Sequence, residues 1–144
     1  MRVYLDNCCF NRPFDNQNQL RIRLETEAKL AVQALIHAGK LELAWSYILD
    51  LENAANPFPE RLERIATWKA LAVIDISESA DVLDSANAFL GFGLRSKDCL
   101  HLACAIQAKC SVFLTTDDGI LKKSENLSEI RVLNPVSHIT DSSK

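Results

Sequence analysis

Short apolar runs alternate with longer stretches of helical period along the chain. Val3-Tyr4-Leu5 is a run of β-formers that stops at Asp6, the pattern of a buried strand. A polar stretch with Pro13 and several Asn and Gln residues follows. From about Asn18 the period turns helical: Leu20, Leu24, Ala28, Ala31 and Leu35 recur at spacings of four, four, three and four. Glu25 and Lys29, at i,i+4 on that helix, are expected to support each other, and Gly39 supplies a stop. Leu41, Leu43 and Trp45 alternate with other residues and predict a second strand over 41–45. Ser46 can N-cap the next helix, which Pro57 ends. Another helix follows Pro59, with Leu62, Ile65 and Ala66 on one face.

A third strand is predicted over 72–76. The helix after it, marked by Val82, Ala86, Phe89 and Leu90, is capped by Ser77 or Ser79 and closed by Gly91 and Gly93. Ser96 caps a helix to about Lys109 that is apolar nearly all round and should therefore lie inside. Strands over 112–114 and 130–133 complete the pattern. Strands alternating with helices imply a parallel sheet covered on both faces. Residues 1–139 form one α/β domain, and 140–144 are expected as a flexible tail.

Composition narrows the class. The chain has 144 residues, 48% hydrophobic and 24% charged, which suits one globular domain and excludes a disordered chain or a rod. Net charge is −3, so a broad basic surface for nucleic acid is not expected, although a local basic rim is compatible with it. Five cysteines, without a C-x-x-C pair, read as reduced thiols in a cytoplasm. No signal peptide is evident, and no apolar run approaches the length that spans a bilayer, so no membrane partner is expected.

Ligands of parallel sheets bind at the carboxyl ends of the strands. Asp6 ends the first strand, and Asp117 and Asp118 follow the fourth after Thr115 and Thr116. Asp98 lies in the first turn of a helix that starts at that same edge. Glu52, six residues beyond Ser46, can reach it. Converging carboxylates repel one another, no set of buried basic partners is obvious, and a hard cation, Mg²⁺ or Mn²⁺, resolves the conflict. Such a cation supports phosphodiester cleavage. Each acid also has a plain alternative: Asp98 as a helix-start acid, Asp117 as a turn residue before Gly119, Glu52 as a solvated helix residue. Asp6 favours function more than any of these. Asp50 lies about 200° round the helix from Glu52, by the 100° helical step, and cannot share its direction. Asp75 ends a strand expected at the sheet margin. Asp117 is preferred to Asp118 as a ligand.

Asn7, Ser46, His101, Thr115 and Asp118 form an auxiliary set around these acids. His101, three residues after Asp98, could meet a phosphate or orient a carboxylate, or simply be a satisfied helix histidine. Ser46 and Thr115 could bond the acids or serve only as cap and strand end. Arg12, Arg95 and Lys97 are candidates for holding substrate phosphates, or else solvated surface cations. A thiolate role for Cys8 or Cys9 is disfavoured, since no general base is close in sequence.

The ordered segments, apolar strand–Asp6, Ser46-x-Ile48-x-x-x-Glu52, Asp98-Cys-Leu-His-Leu-Ala-Cys-Ala and Leu114-Thr115-Thr116-Asp117, resemble the PIN-domain nucleases, including the VapC-type toxins of toxin–antitoxin pairs. The resemblance runs from Arg2 to about Pro135. It implies a three-layer α/β/α fold with a central parallel sheet of about five strands, often ordered 3-2-1-4-5. Asp6, Glu52, Asp98 and Asp117 match the family's acidic quartet, which implies catalysis with Mg²⁺ or Mn²⁺ on RNA, a homodimer and, for toxins, a cognate antitoxin protein. Members usually carry Ser or Thr after the first Asp, whereas Asn7-Cys8-Cys9 follows Asp6 here, so a customary hydroxyl is missing. The reading is a cytoplasmic Mg²⁺- or Mn²⁺-dependent endoribonuclease. The alternative is a weakly active or inactive PIN-like module that binds RNA or protein. A phosphoacceptor domain would need an acidic pair after a strand, and a dinucleotide enzyme a Gly-rich turn there. The Asp6-Asn7-Cys8 segment supplies neither.

Overall fold

A computed structural model describes residues 1–142 of the chain. Five strands form one parallel sheet: β1 (Arg2–Leu5), β2 (Glu42–Ser46), β3 (Ala72–Ile76), β4 (Val112–Leu114) and β5 (Arg131–Leu133). Their order is β3-β2-β1-β4-β5, and helices flank the sheet in a three-layer α/β/α arrangement. β1 is central, with Tyr4 opposite Ala44 of β2 and Phe113 of β4. Both faces of β1 are covered, so Val3, Tyr4 and Leu5 are all fully buried, as a continuous apolar run requires. Asp75 lies on β3 at the sheet margin.

The helices are α1 (Asn7–Asn11), α2 (Leu20–His37), α3 (Tyr47–Ala54), α4 (Pro59–Lys69), α5 (Ala80–Phe89), α6 (Ser96–Gln107), α7 (Asp118–Lys123) and α8 (Pro135–Ser142). α2 packs on α8 and α5 on α6. The Ser46 hydroxyl caps α3 by accepting from the Leu49 amide, and Ser79, not Ser77, caps α5. Gly93, at φ 82°, takes the left-handed conformation that ends the short turn after α5. The all-round apolar α6 is interior, with Cys99 and residues 102–105 buried. Ser96 does not cap it. Arg95 holds the cap position without a side-chain bond, and Ser96 is the first helical residue.

Three helices stand where the sequence pattern shows none. In the polar stretch after β1, the Asp6 carboxylate accepts from the Asn7 amide and starts α1, followed by a 3₁₀ turn over Arg12–Phe14. Asp117 likewise starts α7 by accepting from Gly119 and Ile120. The expected tail from residue 140 is instead helical as far as Ser142. The Asn134 side chain accepts from the Val136 amide at the start of α8, and α8 packs on α2. Residues 143 and 144 of that expected tail lie outside the described residues.

On α2 the buried face is also displaced. Leu20 and Leu24 are exposed, whereas Glu25, Ala28, Lys29, Val32 and Ile36 are buried. Glu25 does not pair with Lys29. Its carboxylate accepts from Arg12 and Arg21, at 2.9 and 3.3 Å, and from the Asn134 amide. The Lys29 ammonium instead lies 5.7 Å from the Phe10 ring centroid and 5.9 Å from that of Trp68, and no carboxylate among the described residues is bonded to it.

Burial lowers Lys29 from 10.5 to about 8. Its ammonium therefore costs most below about pH 8, and the cost fades as pH rises toward the value in the unfolded chain. Lys29→Met keeps the stem and removes the charge. It should stabilise the fold at pH 7 by up to about 3 kcal/mol, at roughly 1.4 kcal/mol per pK unit, with the gain shrinking toward pH 10. Urea unfolding at the two pH values measures this.

Candidate active site

β1 and β4 end side by side, with Leu5 opposite Leu114. The chain turns there into α1 and α7, so Asp6 and Asp117 both stand at the carboxyl edge of the sheet. Asp6 is buried and its carboxylate is tied on both oxygens. The Asn7 amide donates to Oδ1 at 2.8 Å, and the Thr115 hydroxyl donates to Oδ2 at 2.8 Å. The Cys8 thiol lies 3.4 Å from Oδ2 and from Thr115 Oγ1, and accepts from the Thr116 amide. Thr115 Oγ1 also accepts from the Asp117 amide, so one hydroxyl positions both acids. Burial raises the Asp6 carboxyl above its ordinary value, and the Glu52 charge adds to the rise. His101 and the bonds from Thr115 and Cys8 oppose it.

α3 and α6 bring Glu52 and His101 to the same place. His101 is 1% exposed, its Nε2 is hydrogen-bonded to Glu52 Oε1, and it lies 3.8 Å from Asp6 Oδ1. Burial would raise the Glu52 carboxyl, but the His101 bond and charge, with Lys97 and Arg95, outweigh it and hold it below its ordinary value. His101 Nδ1 is 2.6 Å from the Tyr4 hydroxyl, which is 2.6 Å from Ser46 Oγ. Burial pushes the Tyr4 phenol well above its ordinary value, so it stays protonated and the chain Ser46–Tyr4–His101–Glu52 is fully hydrogen-bonded. Its direction decides what Nε2 offers. If Tyr4 donates to Nδ1, Nε2 carries the proton toward Glu52. If Nδ1 donates to Tyr4, a neutral ring turns its Nε2 lone pair toward Asp6 and Glu52, a contact that requires a proton or a cation between them.

Arg95 joins the other two acids. Its Nε donates to Asp98 at 3.1 Å and its Nη2 to Asp117 at 3.2 Å. Glu52, Arg95, Lys97 and Asp98 line one cleft of about 420 Å³. Asp6 and Glu52 therefore meet at His101, Asp98 and Asp117 meet at Arg95, and Glu52 and Asp98 share a cleft. The sequence shows no basic partners for these acids; the structure supplies two, one imidazole and one guanidinium. As a cation site, the ligand atoms of Asp6, Glu52 and His101 lie within 4.8 Å of one another, a mixed oxygen and nitrogen set that a divalent ion fits.

The remaining candidates separate. Asp118 turns away and forms a two-pronged pair with Arg21, at 2.7 and 2.8 Å. The structure places Arg12 with Asp15 and Glu25 rather than with any of the four acids, since two buried or half-buried carboxylates claim its guanidinium. Ser46 reaches the site only through Tyr4. Asp50 accepts from the Trp45 indole and pairs with Lys69, which also reaches Asp75. Two contributors escape sequence reasoning. Tyr4 carries no signal inside an apolar strand run. Cys8 reads as the loss of a hydroxyl, yet its thiol lies 3.4 Å from both Asp6 Oδ2 and Thr115 Oγ1, beside their hydrogen bond.

The sequence pattern of the PIN domain family matches residues 3–126. No curated protein matches the chain. Among solved structures, the fold is similar to a toxin–antitoxin complex from Klebsiella pneumoniae, at 21% identity and TM-score 0.60, over 92% of this chain and 97% of that one. It is also similar to VapBC2 from Rickettsia felis bound to a DNA fragment from their promoter, at 15% identity and TM-score 0.59, over 93% and 98%.

The raised Asp6 carboxyl carries a sign for stability. The folded chain holds that proton more tightly than the unfolded one, so stability falls as pH rises through the window above the ordinary carboxylate value. Asp6→Asn removes the charge and should raise the melting temperature at pH 7 in chelator. The gain should disappear below about pH 4, where the unfolded carboxyl is also protonated. Thermal unfolding of both proteins at the two pH values measures it.

Proposed function

The chain belongs to the PIN domain family, a family of nucleases, and on that premise we propose that it is a divalent-cation-dependent endoribonuclease, the toxin of a toxin–antitoxin pair. The observation that carries this reading is that Asp6 and Glu52 meet at His101, Asp98 and Asp117 meet at Arg95, and Glu52 and Asp98 line one cleft. Asp6, Glu52, Asp98 and Asp117 would hold Mg²⁺ or Mn²⁺, with His101 Nε2 as an added nitrogen donor. A cation bound there supplies a Lewis acid that orients water and counters charge on a phosphoryl group.

The chain's own residues do the rest. Asn7 and Thr115 fix the orientation of Asp6, and Tyr4 fixes the ring of His101. Arg95 is exposed over most of its side chain, so its guanidinium is free to exchange the acids for an RNA phosphate. Lys97 lines the same cleft and adds a second cation to this local rim, which a chain of net charge −3 needs to draw in a polyanion. Both similar structures are of toxin–antitoxin systems, which supports an antitoxin protein as partner. A homodimer acting in the cytoplasm completes the reading. The five free cysteines fit that compartment, and no helix among the described residues is long and apolar enough to cross a membrane.

Two measurements test it. Mn²⁺ at a hundredfold excess over its Kd should stabilise the fold by about 2.7 kcal/mol, and the same protein should cut a single-stranded RNA only with the metal. Stabilisation without cleavage would leave a binding module; neither effect would remove the metal site.

Asp98→Asn should lower cleavage at least about 100-fold, since it deletes a charge that acts on the reacting group. Asp50→Asn and Asp75→Asn should leave cleavage within about twofold, because both acids serve Lys69 away from the cleft. Rates of RNA cleavage at matched metal concentration separate the two classes.

A further inference from the structure

A second cavity lies on the other side of α1. It has a volume of about 300 Å³, at the small end of ligand cavities, and opens between α1, the 3₁₀ turn, α2 and α4. Phe10, Phe14 and Trp68 line it, together with Lys29, Gln33 and Arg64. Lys29 and Gln33 are each only 4% exposed. Neither has its hydrogen-bonding capacity met. Gln33 Nε2 is buried without a partner, and among the described residues no carboxylate or carbonyl is bonded to the Lys29 ammonium, which lies against the Phe10 and Trp68 rings. Lys29 keeps its stem buried and leaves its ammonium tip open to the cavity, where the charge is incompletely hydrated.

The polar equipment is one-sided. Lys29 can only donate, the Gln33 amide can turn its unused N–H₂ toward the cavity, and Arg64 is a cation. No Asp or Glu lines the cavity. On the same helix Glu27 is exposed to solvent, and Glu25, one turn before Lys29, is consumed by Arg12, Arg21 and Asn134. A lysine and an arginine on a wall that carries no carboxylate call for an anion. The aromatic walls and small volume call for a flat or compact apolar body. A multiply charged phosphate ester would bring more charge than one ammonium and one amide can answer after desolvation.

We propose that this cavity binds a small apolar monocarboxylate, its carboxylate held by Lys29 Nζ and Gln33 Nε2 and its body between Phe10, Phe14 and Trp68. An Asp or Glu is not needed for the fold here, because Lys29 already meets the faces of Phe10 and Trp68 as a cation. The ligand carboxylate converts that arrangement into a charge-assisted hydrogen bond inside a half-closed apolar site, where such a bond is strong. The site does not depend on the acids at the sheet edge, so it stands or falls independently of nuclease activity.

The probe is phenylacetate, compared with phenylacetamide of the same shape and with phenethylamine, titrated into metal-free full-length protein by calorimetry. Melting temperature is followed in parallel. Phenylacetate should bind saturably and raise the melting temperature, the amide should bind about tenfold more weakly or worse, and the amine not at all. In Lys29→Met, whose folding is checked by its own cooperative melt, acid and amide should become equal. Gln33→Met should weaken the acid while preserving its preference over the amide. Equal binding of acid and amide to the unaltered protein, undiminished acid binding by Lys29→Met, or no binding by any probe in the millimolar range would each overturn the proposal.

Discussion

The structure is organised around one buried carboxylate. Asp6 ends the central strand, where β1 is flanked on both sides and nothing but the sheet edge gives access to water. A charge so placed persists only with several partners, and those partners define the neighbourhood. The Asn7 amide exists as a donor there because α1 starts at once. Thr115 is brought by the β1–β4 pairing, and His101 by the interior helix α6. The same hydroxyl that serves Asp6 also accepts from the Asp117 amide, so fixing one acid fixes a second.

Acids that converge must be balanced, and the chain does this in two ways. His101 answers Asp6 and Glu52 from the buried side, held in place through Tyr4 by Ser46. Arg95 answers Asp98 and Asp117 from the exposed side. The difference in exposure is functional. A buried imidazole in a continuous hydrogen-bonded chain is a fixed part of the wall, whereas a guanidinium at the surface exchanges one anion for another at little cost in desolvation. The cleft thus has a rigid floor and a mobile cationic rim.

Helix α2 shows how tertiary pairing redistributes charge. Glu25 and Lys29 have the spacing of a helix-surface pair, worth only a few tenths of a kcal/mol in isolation. Three other donors, from the 3₁₀ turn, α2 itself and the segment before α8, capture Glu25 instead. Lys29 is left among aromatic rings. The resulting asymmetry, an over-satisfied acid and an under-satisfied base one turn apart, gives the cavity beside α1 its chemical character.

Much of this was legible in the amino-acid sequence. The five strands, their parallel sense and the interior helix α6 follow from short apolar runs and an all-round apolar helix, since the pattern of burial leaves its period in the chain. Asp6, Asp98 and Asp117 could be assigned to one edge because each stands next to a strand or helix end, where direction is fixed by topology. Ser46 and Ser79 were readable as caps for the same local reason. Tertiary structure alone decided the rest. Helices α1 and α7 depend on carboxylates that accept backbone N–H groups, and α8 on an asparagine that does the same, which polar segments do not distinguish from turns. The turn of Asp117 toward Arg95 and of Asp118 toward Arg21 depends on residues about 20 and 100 positions away. Arg12, Tyr4 and Cys8 acquire their places only through such distant partners. Side-chain electrostatics is set by what stands within a few ångströms in space, and sequence spacing records that distance only inside a single helix or strand.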